Sequence, residues 1–223
     1  MTDAPAPQIS LPGTASPLRR FTLAAVLLAL LGVLFAPFFV DPIDHTSPRA
    51  ANGVVSFERY GPLNAPVNLA GDWRLTWLTP PAPGAVVPVP VPGDWSGPHP
   101  GGPTLPYLGT GAYHLRIQGL RPGRYVLFIA HGFHAIEVSL NGHVVSRVGV
   151  LGLSAATSRS VHRSKAITFE SDGSDLDLTI DVASFQHREA GLGTIPVLGL
   201  EDPMSRWIAL DWVQGLEIGR AHV

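Results

Sequence analysis

Six side chains that can stack on a small polar ligand or hydrogen-bond to it occur in segments rich in glycine and proline. These candidate ligand-binding residues are Trp95, His131, His134, Gln186, His187 and Arg188. An indole ring offers an apolar face to a sugar ring, whereas imidazole, amide and guanidinium groups bind hydroxyl and carboxylate groups. These residue types predict a site for a small molecule or a carbohydrate.

Each part of this candidate set has a structural alternative. Trp95 follows Asp94 in a Pro/Gly-rich segment, which predicts a loop. An aromatic ring in such a loop either contacts a ligand or caps the apolar core. The polar run 186–189 precedes two glycines, Gly191 and Gly193, and it either binds the ligand or forms a network that fixes the loop.

Histidine and carboxylate pairs raise the question of metal binding or catalysis. His131 and His134 are three residues apart, so on a strand they face opposite sides and cannot share a metal; hydrogen bonding near the core is the alternative for His131. Glu137 and Asp181 fall on outward strand positions with no pattern that brings them together. The sequence also lacks a nucleophile elbow, a phosphate-binding loop and a His-Glu-x-x-His motif. We therefore expect a non-catalytic chain without metal or cofactor.

Composition excludes further classes. The 223 residues include no cysteine, so neither disulfides nor thiolate chemistry are available. The formal net charge of −2 argues against nucleic acid as a partner. A short basic run is interpreted as a solvated loop before a strand; it contains Arg159, His162, Arg163 and Lys165.

Residues 21–40 contain no charged side chain, and Arg19 and Arg20 precede them. A helix of this length spans about 30 Å, the thickness of a bilayer core, and the arginines should stay cytoplasmic. Residues 19–40 are thus predicted to be a transmembrane anchor in a bacterial inner membrane, or alternatively a cleaved signal peptide. Residues 1–18 are predicted to be a disordered cytoplasmic terminus. The remainder of the chain then lies in the periplasm.

Alternation of apolar and polar residues predicts strands with one buried face in segments 71–78, 111–118 and 175–184. The segment 124–131 is apolar on both faces, which predicts a central strand. The proline-rich segment 86–97 cannot be central, because proline donates no ladder hydrogen bond.

Asn141-Gly142 between two apolar runs predicts a two-residue hairpin turn. About eight or nine strands joined by short turns predict an all-β fold, an antiparallel jelly-roll sandwich over residues 53–200. Residues 41–52 are predicted to be a linker. Trp73 and Trp77 share the inward face of one strand, which favours core packing over sugar stacking.

The C-terminal stretch departs from this pattern. Asp202-Pro203 is a favourable start for a helix, so residues 201–216 are predicted to begin a juxtamembrane helix that ends before it has anything to pack on. The last residues, EIGRAHV at 217–223, match a translation of a common sequencing adapter. We expect the natural sequence to depart from the printed one after Leu216.

Several segments together resemble a known family. They are GDWRLTWL (71–78), VPVPGDWSG (89–97), GTGAYHLRI (109–117), AIEVSLNGHVV (135–145) with Gly149, and SFQHREAGLG (184–193). In this order they resemble the extracytoplasmic sensor domain of bacterial seven-transmembrane receptors with diverse intracellular signalling modules. The resemblance covers residues 53–200. It implies a galactose-binding-like jelly roll, followed in the family by seven membrane helices and a cytoplasmic cyclase or kinase.

The leading hypothesis is therefore a membrane-tethered sensor domain that binds a small molecule or a carbohydrate, with a homodimer as one arrangement. The alternative is the non-catalytic sugar-binding domain of an exported glycoside hydrolase. A third hypothesis is a structural envelope module that binds another protein.

Overall fold

Two predominantly antiparallel β-sheets form the framework of the described chain. The computed structural model describes residues 17–35, 42–130, 132, 134–186 and 190–219. It divides into two compact units, residues 1–41 and residues 42–223. The first contains helix α1 (Pro17–Phe35), and the second contains every strand and helix α2 (Glu201–Gly219).

Helix α1 forms from the apolar N-terminal run, and the side chains described in it are exposed. Of the helices that the structure describes, none combines the length and the apolar character needed to cross a membrane. Residues 1–16 of the predicted disordered terminus, and residues 36–40 of the predicted anchor, lie outside the described residues.

The larger sheet has seven strands in the order β10-β9-β12-β7-β3-β4, with β1 pairing in parallel with β7. Its strands are β1 (Val54–Ser56), β3 (Gly71–Trp77), β4 (Val86–Val91), β7 (Gly109–Gln118), β9 (Ala135–Leu140), β10 (His143–Val148) and β12 (Leu176–Ser184). All its other pairings are antiparallel. The alternating segments of the sequence thus form one continuous layer.

The smaller sheet has four strands in the order β11-β8-β13-β2, and a short pair lies apart from it. The four strands are β2 (Val67–Asn68), β8 (Gly123–Ile129), β11 (Lys165–Ser171) and β13 (Val197–Leu200), and the short pair is β5 (Gly97–Pro98) and β6 (Thr104–Leu105). The strands are more numerous than predicted, because pieces of two or three residues show no recognisable alternation. The fold is an all-β sandwich, as predicted.

Inward-facing residues of both sheets form one hydrophobic cluster, which includes Leu75, Tyr113 and Ile180 from the larger sheet and Leu127 and Leu198 from the smaller. The predicted alternation is confirmed in β3 and β12, where every second residue is buried. Burial of such side chains, at about 25 cal/mol per Å² of apolar surface, is the main stabilising contribution to folding.

The proline-rich strand β4 lies at the edge of the larger sheet, as its composition requires. Pro88 and Pro90 pair with Arg74 and Asp72 of β3 and face solvent, while the intervening valines are buried. No strand lies beyond β4 in this sheet. The missing N–H groups of its prolines therefore do not deprive a neighbouring strand of hydrogen bonds.

The predicted hairpin joins β9 and β10. Asn141 and Gly142 have φ angles of 48° and 77°, the left-handed conformation that a two-residue turn of this kind requires. Strand β10 is the opposite edge of the larger sheet, and its register shifts between Val144 and Ser146. A bulge of this kind bends an edge strand and hinders pairing with another chain.

Of the predicted linker 41–52, residue 41 lies outside the described residues, and residues 42–52 lie against the sandwich. Asp44 and Ala50 form parallel bridges with Val67 and Gly71, and Ala50 is buried. A Cβ at Gly71 would lie 2.2 Å from the Ala50 carbonyl oxygen, so this approach depends on glycine. The hydroxyl of Tyr60 donates to the Asp44 carboxylate and fixes the start of the segment.

Strand β8 is central in its sheet and covered on both faces, as its sequence predicted. On the outer face, Val126, Phe128, Val197 and Met204 form a second apolar cluster. The ring of Trp207 packs edge-on against Phe128 with centroids 5.1 Å apart. Helix α2 is the element that supplies this cover.

The prediction that the C-terminal helix has nothing to pack on was therefore wrong. Helix α2 begins at Glu201, directly after β13, so Asp202 lies in its first turn rather than before it. Glu201 pairs with Arg124 at 3.3 Å, Trp207 packs on Phe128, and Ile208 packs against the same apolar cluster. The helix thus runs along the smaller sheet in the same direction as β8. Of the C-terminal segment 217–223, residues 220–223 lie outside the described residues.

The outer face of the larger sheet brings together two carboxyl groups that the sequence left apart. Asp181 of β12 and Glu137 of β9 are direct cross-strand partners. Burial raises the pKa of Asp181, and the charge of Glu137 raises it further. Glu137 accepts a hydrogen bond from the Arg147 guanidinium at 2.5 Å. Strand register, which no local motif encodes, produces this contact.

We predict that Asp181→Asn raises the free energy of unfolding near neutral pH. A carboxyl whose pKa is raised in the folded state stabilises the fold when protonated, and this contribution is lost as the pH rises through the folded-state pKa. The gain from asparagine should therefore shrink as the pH falls towards the ordinary carboxyl pKa of 3.8.

Urea unfolding followed by circular dichroism over a pH series measures this effect. Asp72→Asn, an exposed position on the same outer face, is the control and should give a smaller change. A gain that is independent of pH would contradict the role assigned to the Asp181 charge.

Candidate functional site

A cavity of about 760 Å³ opens where β9 begins and β12 has ended. Its described lining comes from four parts of the chain: Pro92 to Asp94, the stretch containing Gly132, His134 and Ile136, His162, and Ala190 to Thr194. Ile136, Ala190 and Leu192 also belong to the main hydrophobic cluster. The cavity therefore lies at the edge of the hydrophobic core.

Backbone hydrogen bonds join two of these segments. The Gly93 N–H donates to the Leu192 carbonyl at 3.2 Å, and the Trp95 N–H donates to the Ala190 carbonyl at 3.4 Å. The Leu192 N–H in turn donates to the hydroxyl of Tyr113 at 2.9 Å. These bonds position one wall of the cavity on the larger sheet.

Tyr113 is fully buried on β7, and burial raises the pKa of its phenol, as does the charge of Asp94. Because its pKa is raised above the ordinary tyrosine value, the hydroxyl is neutral at neutral pH, where it accepts the Leu192 N–H. The contact is a fixed structural bond rather than a titrating one.

Gly191 lies between the two hydrogen-bonded residues of this wall. Its φ is 102°, in the region that favours glycine, and a Cβ there would lie 2.6 Å from the Tyr113 hydroxyl and 2.9 Å from the Gly93 carbonyl oxygen. Only glycine allows the two segments to approach this closely. In the segment that follows the polar run 186–189, packing therefore requires glycine at position 191.

The cavity walls combine two kinds of surface. Ile136 and Leu192 supply apolar area, while Asp94, His134 and His162 supply hydrogen-bonding groups. His134 is buried, whereas Asp94 and His162 are exposed at the mouth. The Asp94 carboxylate accepts the Ser96 N–H at 2.7 Å, which fixes its orientation. Apolar walls with a few convergent polar groups are typical of sites for small polar molecules.

The structure separates the predicted ligand-binding residues. His134 lies in the cavity wall. Gln186 is described and exposed, and it is not among the residues described as lining the cavity. His131, His187 and Arg188 lie outside the described residues.

Trp95 requires a correction. Its side chain is fully buried, stacked on Tyr113 with centroids 6.2 Å apart and edge-on to Trp77 at 5.2 Å. The indole N–H donates to the Tyr107 carbonyl at 3.3 Å. No face of the ring is left for a sugar. Trp95 therefore packs in the core, which is the alternative role that its sequence context also allowed.

Sequence reasoning did not single out Asp94, His162 or Thr194 as cavity residues. His162 had been assigned to a solvated basic loop, and no periodicity shows that this loop returns to the mouth of the sandwich. Across the described residues, no three histidine, aspartate or glutamate side chains are grouped to hold a metal ion.

No protein-family model matches the sequence, and no curated protein matches it. Among solved structures, a GH2 β-galacturonidase from Eisenbergiella tayi, bound to galacturonate, is 18% identical over 60% of this chain and 24% of its own, with a TM-score of 0.46. A β-glucuronidase from Faecalibacterium prausnitzii is 14% identical over 60% of this chain and 31% of its own, with a TM-score of 0.43. A β-glucuronidase from Ruminococcus gnavus, in complex with D-glucaro-d-lactam, is 13% identical over 60% and 29%, with a TM-score of 0.44. The chain thus spans less than a third of the length of each.

We predict that Gly191→Ala destabilises the fold by about 2 kcal/mol, since alanine is strained at this φ and its methyl group collides with the Tyr113 hydroxyl. Gly193→Ala in the same segment is the matched control. No atom lies within 4 Å of a Cβ at Gly193, so the expected change is about 0.5 kcal/mol or less.

Chemical denaturation of both variants measures the difference. Equal stability of the two variants would show that the close approach at Gly191 does not constrain the wall.

Proposed function

We propose that residues 42–200 form a non-catalytic carbohydrate-binding module with a galactose-binding-like jelly-roll fold, and that the cavity is its sugar site. The observation that carries this proposal is the combination, in one cavity, of an apolar wall with hydrogen-bonding groups from separate segments. A sugar ring presents the complementary surfaces, because its C–H face is apolar and its hydroxyl groups are donors and acceptors.

In this proposal Ile136 and Leu192 contact the C–H face of the sugar. His134, His162 and Asp94 bind its hydroxyl groups, and the backbone of the glycine-rich wall approaches the ring without side chains in between. Glycoside cleavage in most families uses two carboxyl groups across the scissile bond. Asp94 is the single carboxylate in the described lining, which supports binding rather than catalysis.

The first context we propose is the sensor domain of a membrane receptor. The cavity-lining segment that ends at Thr194 leads after two residues into β13, and α2 begins at Glu201, immediately after that strand. A ligand that favours one position of the 190–194 wall would shift β13 and the helix packed beside it. Such a ligand can change the output only if it binds one receptor state more tightly than the other.

The second context is a sugar-binding domain of an exported glycoside hydrolase, whose catalytic part would be a separate domain. The solved structures reported above are glycosidases. For this chain, the glycoside hydrolase context is a proposal, as the sensor context is. In that context the sugar site would recruit substrate and would have no mechanical link to α2.

We predict that an array of neutral and acidic mono- and oligosaccharides gives at least one ligand, and that His134→Ala weakens its binding about tenfold, or about 1.4 kcal/mol. The imidazole of His134 is buried in the cavity wall, so its removal takes away a directed hydrogen-bonding group. Isothermal titration calorimetry measures the affinity.

His143→Ala, an exposed histidine on β10, is the control and should bind as the parent does. If His134→Ala unfolds, His162→Ala at the exposed mouth tests the same cavity. Unchanged affinity in every folded cavity variant would overturn the assignment of the site.

Hydrogen exchange with and without the bound sugar separates the two contexts. A sensor should change the protection of α2 amides at residues 201–210, because the wall, β13 and α2 are consecutive. A recruiting domain should change protection only in segments 92–95 and 190–194. A sugar that binds without altering α2 would favour the hydrolase context while leaving carbohydrate binding intact.

A further inference from the structure

The charge along the chain is distributed unevenly around the connection between β10 and β11, residues 149–164, which we call the rim loop. No acidic residue occurs between Glu137 and Glu170, although the formal net charge of the whole chain is −2. Arg159 and Arg163 are exposed in the rim loop, and Lys165 begins β11 directly after it. This surface is therefore locally cationic.

The same loop exposes aliphatic side chains. Leu153 is 62% exposed, Val150 is 53% exposed and Val161 is 41% exposed. The hydroxyl of Thr110 donates to the Gly152 carbonyl at 2.7 Å, which joins the rim loop to the start of β7. The three exposed aliphatic side chains therefore belong to a loop that is fixed to the larger sheet.

Hydrogen bonds hold the rim loop in this conformation. Val150 and Arg159 exchange two backbone bonds of 2.9 Å, and the Ser154 N–H donates to the Thr157 hydroxyl at 3.2 Å. A Cβ at Gly149 would lie 2.3 Å from the Arg159 carbonyl oxygen, so the two arms of the loop are in close contact. The aliphatic side chains are thus presented by an ordered loop.

The rim loop lies at the end of the smaller sheet towards which α2 runs. Lys165 pairs with Ile129, the last residue of β8, whereas Leu200 pairs with Tyr125 near the other end. Glu201 pairs with Arg124 near the start of β8, and Trp207, further along the helix, packs on Phe128 near the end of that strand. The chain therefore leaves the sandwich in the direction of the cationic, apolar rim.

We propose that the rim loop docks on an anionic phospholipid surface, with Leu153 and Val150 at the boundary of headgroups and acyl chains and Arg159, Arg163 and Lys165 against the phosphates. Aliphatic side chains flanked by cations, in a loop that itself contains no acidic residue, are the chemistry that binds such an interface. The charge complementarity and the direction of α2 favour a bilayer over a protein partner, and the inference does not depend on the ligand of the cavity.

The absence of cysteine allows a single-site probe in the full chain. Leu153→Cys carries an environment-sensitive fluorophore such as NBD, and Ser174→Cys, exposed in the turn before β12 at the other end of the sheet, carries the same label as the control. Both are mixed with phosphatidylcholine vesicles that contain or lack phosphatidylglycerol.

The emission of the probe at residue 153 should rise at least twofold with phosphatidylglycerol vesicles, and by clearly less with neutral vesicles, while the probe at residue 174 does not change. Arg159→Glu with Arg163→Glu should abolish the response at residue 153. No response at residue 153, or an equal response in the charge-reversed variant, would overturn the proposal. So would a rise that depends on protein concentration without vesicles, because it would identify a second copy as the occupant.

Discussion

The buried hydroxyl of Tyr113 is the contact on which the candidate site depends. Its ring lies between Trp73 and Trp95 in the core, and its oxygen accepts the backbone N–H of Leu192. A buried N–H without an acceptor costs about 1–3 kcal/mol. Moving the wall at residues 190–194 away from Tyr113 would therefore reduce the stability of the fold by a comparable amount. The aromatic core and the cavity wall are therefore parts of one packing arrangement. The close approach at Gly191 follows from it.

A second constraint comes from the smaller sheet, whose central strands are covered on both faces. The inner face contributes Leu127 and Leu198 to the main cluster, and the outer face contributes Phe128 and Val197 to the cluster under α2. Close-packed protein interiors transmit displacement, because neighbouring side chains leave little free volume. A shift of β13 therefore acts on α2 through Val197 as well as through the chain connection at its end.

The fold was predictable where burial leaves a local trace in the sequence. Period-two alternation identified β3 and β12, and prolines identified β4 as an edge, because each pattern follows from the environment of a single strand. The site was less predictable, because its contacts join distant segments. The burial of Trp95 depends on Tyr113, and the meeting of Glu137 with Asp181 depends on strand register. His134 was included among the candidates on its residue type, and the structure places it in the cavity wall.

The rim loop connects the two proposed surfaces physically. His162 lines the cavity, while its neighbours Val161 and Arg163 are exposed in the same loop. A ligand that changes the position of His162 also changes the presentation of those neighbours. By linkage, if both proposals hold, docking on a lipid surface would alter ligand affinity by the same factor by which the ligand alters docking. The coupling would run through this short segment and would require no movement of the sheets.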